Sequence, residues 1–328
     1  MGQGRALPPL YYNHNFMSKT AFVFPGQGSQ FSGMGKSLAD AHPEAARIFE
    51  QADAALGFSI SKLCFEGPDD QLKLTENTQP ALLAVSTAAN AVLRSRGIAP
   101  DFVAGHSLGE YSALVAAGSL DFGDALRLVR KRGQYMQAAV PAGVGAMAAL
   151  LKLPEGELAR VLSEASHGDA TGEIVTAANF NTPDQVVIAG NAGAVNRAVE
   201  LAKAAGARRA ILLQVSAPFH CPLMQPAQQS LKPDLDAAAF RDLEVPLVNN
   251  WQALAIRTAA EAREGLYQQV PNPVRWTETV RLLASSGVKR FIEVGAGSVL
   301  TGLIRAIDPE MAVYKFGEAA DLEKITHS

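Results

Sequence analysis

Cysteine is scarce in this chain. Cys64 and Cys221 are the only two among 328 residues, and they stand far apart. That excludes a disulfide framework and any cysteine metal spacing, and it points to reduced thiols in a cytoplasmic protein. Long apolar runs are missing as well. No stretch approaches the roughly 20 residues of a membrane span, and residues 1–16 lack the apolar centre of a signal peptide. A strong charge of either sign is also absent: 29 Lys and Arg face 32 Asp and Glu, a net charge of −3. Nothing in that balance favours nucleic acid or a membrane surface. Repeats and low-complexity tracts are absent, and no His, Cys, Asp and Glu pattern suggests a metal.

What is present describes an ordinary globular chain, 48% hydrophobic and 19% charged. This length can bury a sizeable core in one large or two smaller domains. Met17-Ser18-Lys19-Thr20 before an apolar run reads as the natural start. Residues 1–16 read as a disordered extension outside the fold.

One stretch organises the rest. Gly105-His106-Ser107-Leu108-Gly109 follows the apolar run Asp101–Ala104 and precedes the helical pattern Glu110–Ala117. A strand, a sharp turn on G-x-S-x-G and a helix are the context that exposes a serine nucleophile. The N–H of Leu108 then points to where an oxyanion would form. Upstream, the strand Ala21–Phe24 runs into Gly26-Gln27-Gly28-Ser29-Gln30. Phe31 stands where a dinucleotide loop needs its third glycine. The small residues there serve close backbone approach to a reacting carbonyl instead.

The pattern predicts helices over Pro43–Leu56 and Ala81–Gly97, with Thr78-Gln79-Pro80 as a stop between segments. A further helix begins at Asp121 as N-cap. Its apolar stripe, Ala125, Leu128 and Val129, continues one turn on to Arg132 and then Met136. A guanidinium on a buried face is costly unless it meets an anion. An internal salt bridge, a side chain snorkelling out near the helix end and a ligand carboxylate held by the fork each answer that cost.

Between residues 142 and 216 the order becomes βαββαβ: Ala146–Leu151, Pro154–Ala165, Ile174–Ala178, Gln185–Ala189, Ala192–Ala205 and Ala210–Val215. That is a ferredoxin-like subdomain inserted in a larger α/β domain made of residues 17–141 and 217–328. The larger domain is expected to be α/β-hydrolase-like, with a mostly parallel sheet. His220 lies where the chain returns to it. Of six histidines, His14 and His327 lie in tails, His42 and His167 in polar settings, and His106 beside the serine. His220 is therefore the best candidate base. Cys221 is set aside as a nucleophile because Pro222 follows it and no glycine turn exposes it. The rigid turn Asn272-Pro273-Val274-Arg275-Trp276 offers carbonyls that could orient an imidazole.

These segments together carry a resemblance. Phe24–Gln30, Thr78–Ala81, Gly105–Tyr111, Arg132-Gly133, Asn179–Asn181, Ser216–His220, Asn272–Trp276 and Glu293–Gly297 occur in one order along the chain. In that order the chain resembles the malonyl-CoA:acyl carrier protein transacylases of bacterial fatty-acid synthesis and the acyltransferase domains of polyketide synthases. The resemblance implies ping-pong transfer of malonyl from malonyl-CoA, through an ester on Ser107, to the phosphopantetheine thiol of a holo-acyl carrier protein, with no cofactor. It implies His220 as base, the N–H groups of Gln27 and Leu108 as oxyanion donors, and Arg132 as the grip on the malonyl carboxylate. His106, Asn181 and Phe219 are implied substrate contacts, Phe219 crowding an α-methyl branch. A main-chain carbonyl near Arg275 is implied to orient His220 in place of a triad acid. Three other readings stand beside it: an acyltransferase of a polyketide pathway, a serine esterase using Asp184 as the acid, and a non-enzymatic carrier-docking module. Arg208-Arg209 and Lys289-Arg290 are candidates for a basic rim facing an acidic carrier.

Overall fold

Two sheets carry the fold of the computed structural model, which describes residues 18–167, 172–215 and 217–326. The expectations for residues 1–17 and for Ser216 lie outside those residues. The larger sheet has the strand order β10-β9-β1-β2-β7-β8. Its strands are β1 (Lys19–Phe24), β2 (Phe102–Gly105), β7 (Leu247–Val248), β8 (Ala255–Ile256), β9 (Val288–Val294) and β10 (Ala312–Phe316). All neighbours run parallel except β7 and β8. β1 lies inside the sheet, and Ala21, Phe22, Val23 and Phe24 are all fully buried. A continuous apolar run is what a strand covered on both faces requires.

Alternation along β1 divides the core. Phe22 and Phe24 join the helices of one face. Ala21 and Val23 join Trp276, Val280, Leu283 and Ile304 on the other. The helices that bear on the site are α1 (Thr75–Ser95), α2 (Gly109–Ala116), α3 (Phe122–Ala138), α4 (Glu157–His167), α5 (Ala192–Ala204), α6 (Ala259–Gln269), α7 (Trp276–Ser285) and α8 (Val299–Ile307). No described helix is long and apolar enough to cross a membrane.

Pro80 does not stop a segment. It lies inside α1, which starts at Thr75. A proline inside a helix costs about 3 kcal/mol through a lost hydrogen bond and a ring clash. Here the loss falls near the helix start, and nearly every residue from Thr78 to Asn90 is buried against the core. Tertiary burial outweighs the local penalty.

The smaller sheet comprises β3 (Gly145–Leu151), β4 (Val175–Thr182), β5 (Gln185–Asn191) and β6 (Arg209–Leu212). Its order is β4-β5-β3-β6, antiparallel throughout. Ala148, Leu150 and Ile188 pack under α4 and α5 with Val161 and Val195. The alternate residues Met147, Ala149, Val187 and Ala189 face the other way, toward Phe219 and Cys221. The smaller sheet is tied to the larger domain through the segment that leads into α7. Phe180 N–H donates to Val274 O at 2.9 Å and Val274 N–H to Ala178 O at 2.9 Å, while the Thr277 hydroxyl donates to Phe180 O at 3.1 Å.

Candidate active site

The turn after β2 is strained and tightly packed. Ser107 has φ 52°, a left-handed conformation that costs a non-glycine residue about 1–2 kcal/mol. Glycine is obligatory on both sides. A Cβ on Gly105 would lie 1.9 Å from Gly109 C, and one on Gly109 would lie 2.0 Å from Phe24 O. Asn250, just beyond β7, braces the turn. Its Oδ1 accepts from Ser107 N–H at 2.7 Å and its Nδ2 donates to Gly105 O at 2.6 Å.

Ser107 Oγ is 2.7 Å from His220 Nε2. His220 Nδ1 lies 3.0 Å from the main-chain oxygen of Gln269. A carbonyl only accepts, so Nδ1 carries the proton and Nε2 is free to take the serine proton. Burial, reinforced by the charge of Arg132, pushes the His220 pKa down to about 3. The resting imidazole is therefore a neutral base.

The orienting carbonyl is not that of Arg275. Arg275 is the N-cap of α7, and its oxygen already accepts the Thr279 N–H at 2.9 Å. Its side chain pairs with Glu278 at 3.1 Å. The last residue of α6 takes the role because helix ends leave carbonyls without intrahelical partners.

Asp121 caps α3 as expected, accepting from Asp124 N–H at 3.1 Å. That fixes the phase which buries Arg132, only 2% exposed. Its fork donates to Gln79 Oε1 at 2.7 Å, Gln269 Oε1 at 2.8 Å and Ser107 Oγ at 3.1 Å. Every one of these acceptors is neutral. Among the described residues Arg132 makes no ion pair, so the internal salt bridge is not what occupies it. Burial lowers its pKa, but a guanidinium remains charged. The site therefore holds a desolvated cation beside the nucleophile.

The N–H groups of Gln27 and Leu108 make no hydrogen bond to another described residue, and both residues line the cavity over Ser107. His106, held neutral by burial, has Nε2 2.9 Å from Asn181 Oδ1. Asn181 Nδ2 donates to Gln185 Oε1 at 3.3 Å. Phe219 also lines the cavity, which measures about 230 Å³ and has Met147, Val187 and Leu303 in its walls. Asp184 is not there. It is exposed and pairs with Lys152 at 3.6 Å, so no serine–histidine–aspartate triad forms. No metal-holding cluster occurs among the described residues.

Four site residues escaped sequence reasoning. Gln79 lies in the Thr78–Ala81 segment, where the sequence suggests only a stop. Nothing in the sequence sets Asn250 apart. Glu110 was read as the start of a helix, and Gln269 carries no distinguishing signal in the sequence.

A strained serine on a strand-to-helix turn, a neutral histidine, two free N–H groups and no acid triad define a serine acyltransferase. The chain belongs to the Acyl transferase domain family, which matches residues 21–315. It is 48% identical over 307 residues to the malonyl CoA-acyl carrier protein transacylase of Bacillus subtilis strain 168, covering 94% of this chain and 96% of that one. The Escherichia coli K12 protein of the same name is 48% identical over 292 residues, covering 89% and 93%. Among solved structures, an acyl carrier protein S-malonyltransferase from Vibrio cholerae superposes with TM-score 0.91 at 44% identity, covering 94% of this chain and all of that one. A malonyl-transacylase in complex with a type II polyketide acyl-carrier protein gives 0.90 at 45%, covering 94% and 98%.

Proposed function

We propose that this chain moves malonyl from malonyl-CoA to the phosphopantetheine thiol of an acyl carrier protein by way of a malonyl-Ser107 ester, supplying fatty-acid elongation. The observation that carries the choice of acyl group is Arg132: a buried guanidinium 3.1 Å from Ser107 Oγ with only neutral partners. An acyl group ending in a carboxylate supplies the missing anion.

In the first half-reaction Ser107 gives its proton to His220 Nε2 while Oγ attacks the thioester carbonyl. The oxyanion develops toward the N–H groups of Gln27 and Leu108, each such donor being worth about 3 kcal/mol in the transition state. His220 returns the proton to the departing CoA sulfur. In the second half the carrier thiol gives its proton to His220 and its sulfur attacks the ester, and Ser107 leaves with that proton. The substrate carboxylate offsets the charge of Arg132, one cause of the low His220 pKa. His220 thus becomes a stronger base once malonyl is seated.

Phe219 crowds an α-methyl branch and favours malonyl over methylmalonyl. His106 and Asn181 line the acyl pocket. Arg208 and Arg209 border a hollow that shares Leu303 with the cleft, which supports them as a basic rim for an acidic carrier. Arg290 is a poorer candidate, since its guanidinium donates to Ile325 O. The strand order of the smaller sheet supports a ferredoxin-like unit over 142–216. The elbow after β2 supports a hydrolase-like larger domain, 17–141 with 217–328. The two buried free thiols are consistent with a cytoplasmic setting. No step requires a cofactor.

Exposing the chain to malonyl-, methylmalonyl- and acetyl-CoA together, then weighing the intact protein, tests this reading. Malonyl on Ser107 is expected, with none on Ser107→Ala. An unmodified wild-type chain would refute it.

A further inference from the structure

Glu110 is the second residue of α2, rigidly attached to the Ser107 turn, and fully buried. A carboxyl group in such a place is costly unless it does something a Leu could not. One oxygen makes both of its hydrogen bonds. Oε2 accepts from Asn250 N–H at 3.0 Å and from Gln269 Nε2 at 2.8 Å, while Oε1 has no partner. The two residues it holds contact every reacting group on the protein side. Asn250 fixes the Ser107 N–H. Gln269 donates to Ser107 O at 3.0 Å, accepts from Arg132 at 2.8 Å through its side chain, and accepts from His220 through its main chain.

We propose that Glu110 is a positioning residue for acyl transfer. Its Oε2 clamps Gln269 and Asn250, and through them sets the serine turn, the guanidinium fork and the imidazole in one register. This rests on the roles given above to Ser107, Arg132 and His220. What matters is an oxygen at that point in space rather than a negative charge. Burial pushes the Glu110 carboxyl up to about 7 against the pull of Gln269, Asn250 and Arg132, so charge is weakly held there. An amide oxygen can therefore take the place of Oε2, with its NH2 in the vacant Oε1 direction.

Two variants separate reach from charge. Glu110→Gln keeps the reach and removes the charge. Glu110→Asp keeps the charge and withdraws the oxygen by one methylene. The readout is the rate of Ser107 acylation from malonyl-CoA and, separately, acetyl-CoA, with thermal melting alongside. Glu110→Gln is expected within about threefold of wild type for both acyl groups. Glu110→Asp is expected to lose malonylation about a hundredfold, the scale of an ångström-sized misplacement, and acetylation about tenfold, since both acyl groups need the serine and the imidazole while malonyl alone also needs the guanidinium. Should Glu110→Asp fail to fold, Glu110→Met, which fills the space without an oxygen, is expected to show the same losses, malonylation more than acetylation. Glu110→Asp at wild-type rates, a larger loss of acetylation than of malonylation, or Glu110→Gln as impaired as Glu110→Asp would each overturn the proposal. A wild-type chain that forms no malonyl ester would refute the transfer reading instead.

Discussion

The two sheets surround one cavity with opposite chemistry. The parallel sheet and its helices supply buried polar groups, each at most 2% exposed: Gln79 and Arg132 in the cavity wall, with Glu110, Asn250 and Gln269 behind them. The antiparallel sheet offers mostly an apolar face, Met147, Ala149 and Val187, with the His106–Asn181 contact at its margin. One side carries out the reaction and holds the charge. The other excludes water and limits shape. A buried polar network is worth its desolvation only when fully partnered, and Arg132, whose Nε has no partner among the described residues, is where the proposed carboxylate completes it.

Breaking the reacting side produces the largest effect. His220→Ala is expected to lower transfer of malonyl and acetyl alike by about a thousandfold, within the range for a removed general base. Pre-steady-state acylation rates would show it, and unequal loss would contradict a shared base. The same residue sets a pH signature. Its folded pKa lies below the usual 6.5, so the unfolded chain binds more protons across that interval and stability falls as pH drops from 6.5 toward about 3. Melting curves of His220→Gln should flatten in that window. The acid limb of kcat/KM for the free enzyme should sit below 6.5.

Altering the shape-limiting side produces a smaller change, in selection rather than rate. Phe219→Ser should raise methylmalonyl transfer relative to malonyl about tenfold, the usual worth of one methyl group in a pocket. Competition between the two CoA thioesters measures it, and an unchanged ratio removes Phe219 from the selectivity account. The smallest effect belongs to the outer surface of the antiparallel sheet. Asp184→Asn should leave transfer within about twofold, as expected when an exposed ion pair is lost. A collapse of activity would revive the esterase triad.

The legible parts were those with a geometric requirement written in residue types. Gly105 and Gly109 announce the turn because no larger residue fits. Arg132 was found because a helical stripe carried a cation where the apolar face continues. The βαββαβ order was legible as a run of strand and helix segments. Pro80 was misread because local propensity cannot foresee burial of nearly a whole helix. The orienting carbonyl was misplaced onto Arg275 because every residue has a carbonyl, and only folding decides which is left unpaired. Gln269 stayed invisible for the same reason, since half its work is done by the main chain.

The buried guanidinium of Arg132 is proposed to select the acyl group. Wild type and Arg132→Ala can be offered equal malonyl-CoA and acetyl-CoA, and the acyl group on Ser107 read by intact mass. Wild type should carry malonyl, while Arg132→Ala should lose malonylation about a hundredfold and shift toward acetyl, as expected for charged hydrogen bonds of about 1.5–3 kcal/mol each. An unchanged malonyl-to-acetyl ratio in Arg132→Ala would contradict the account.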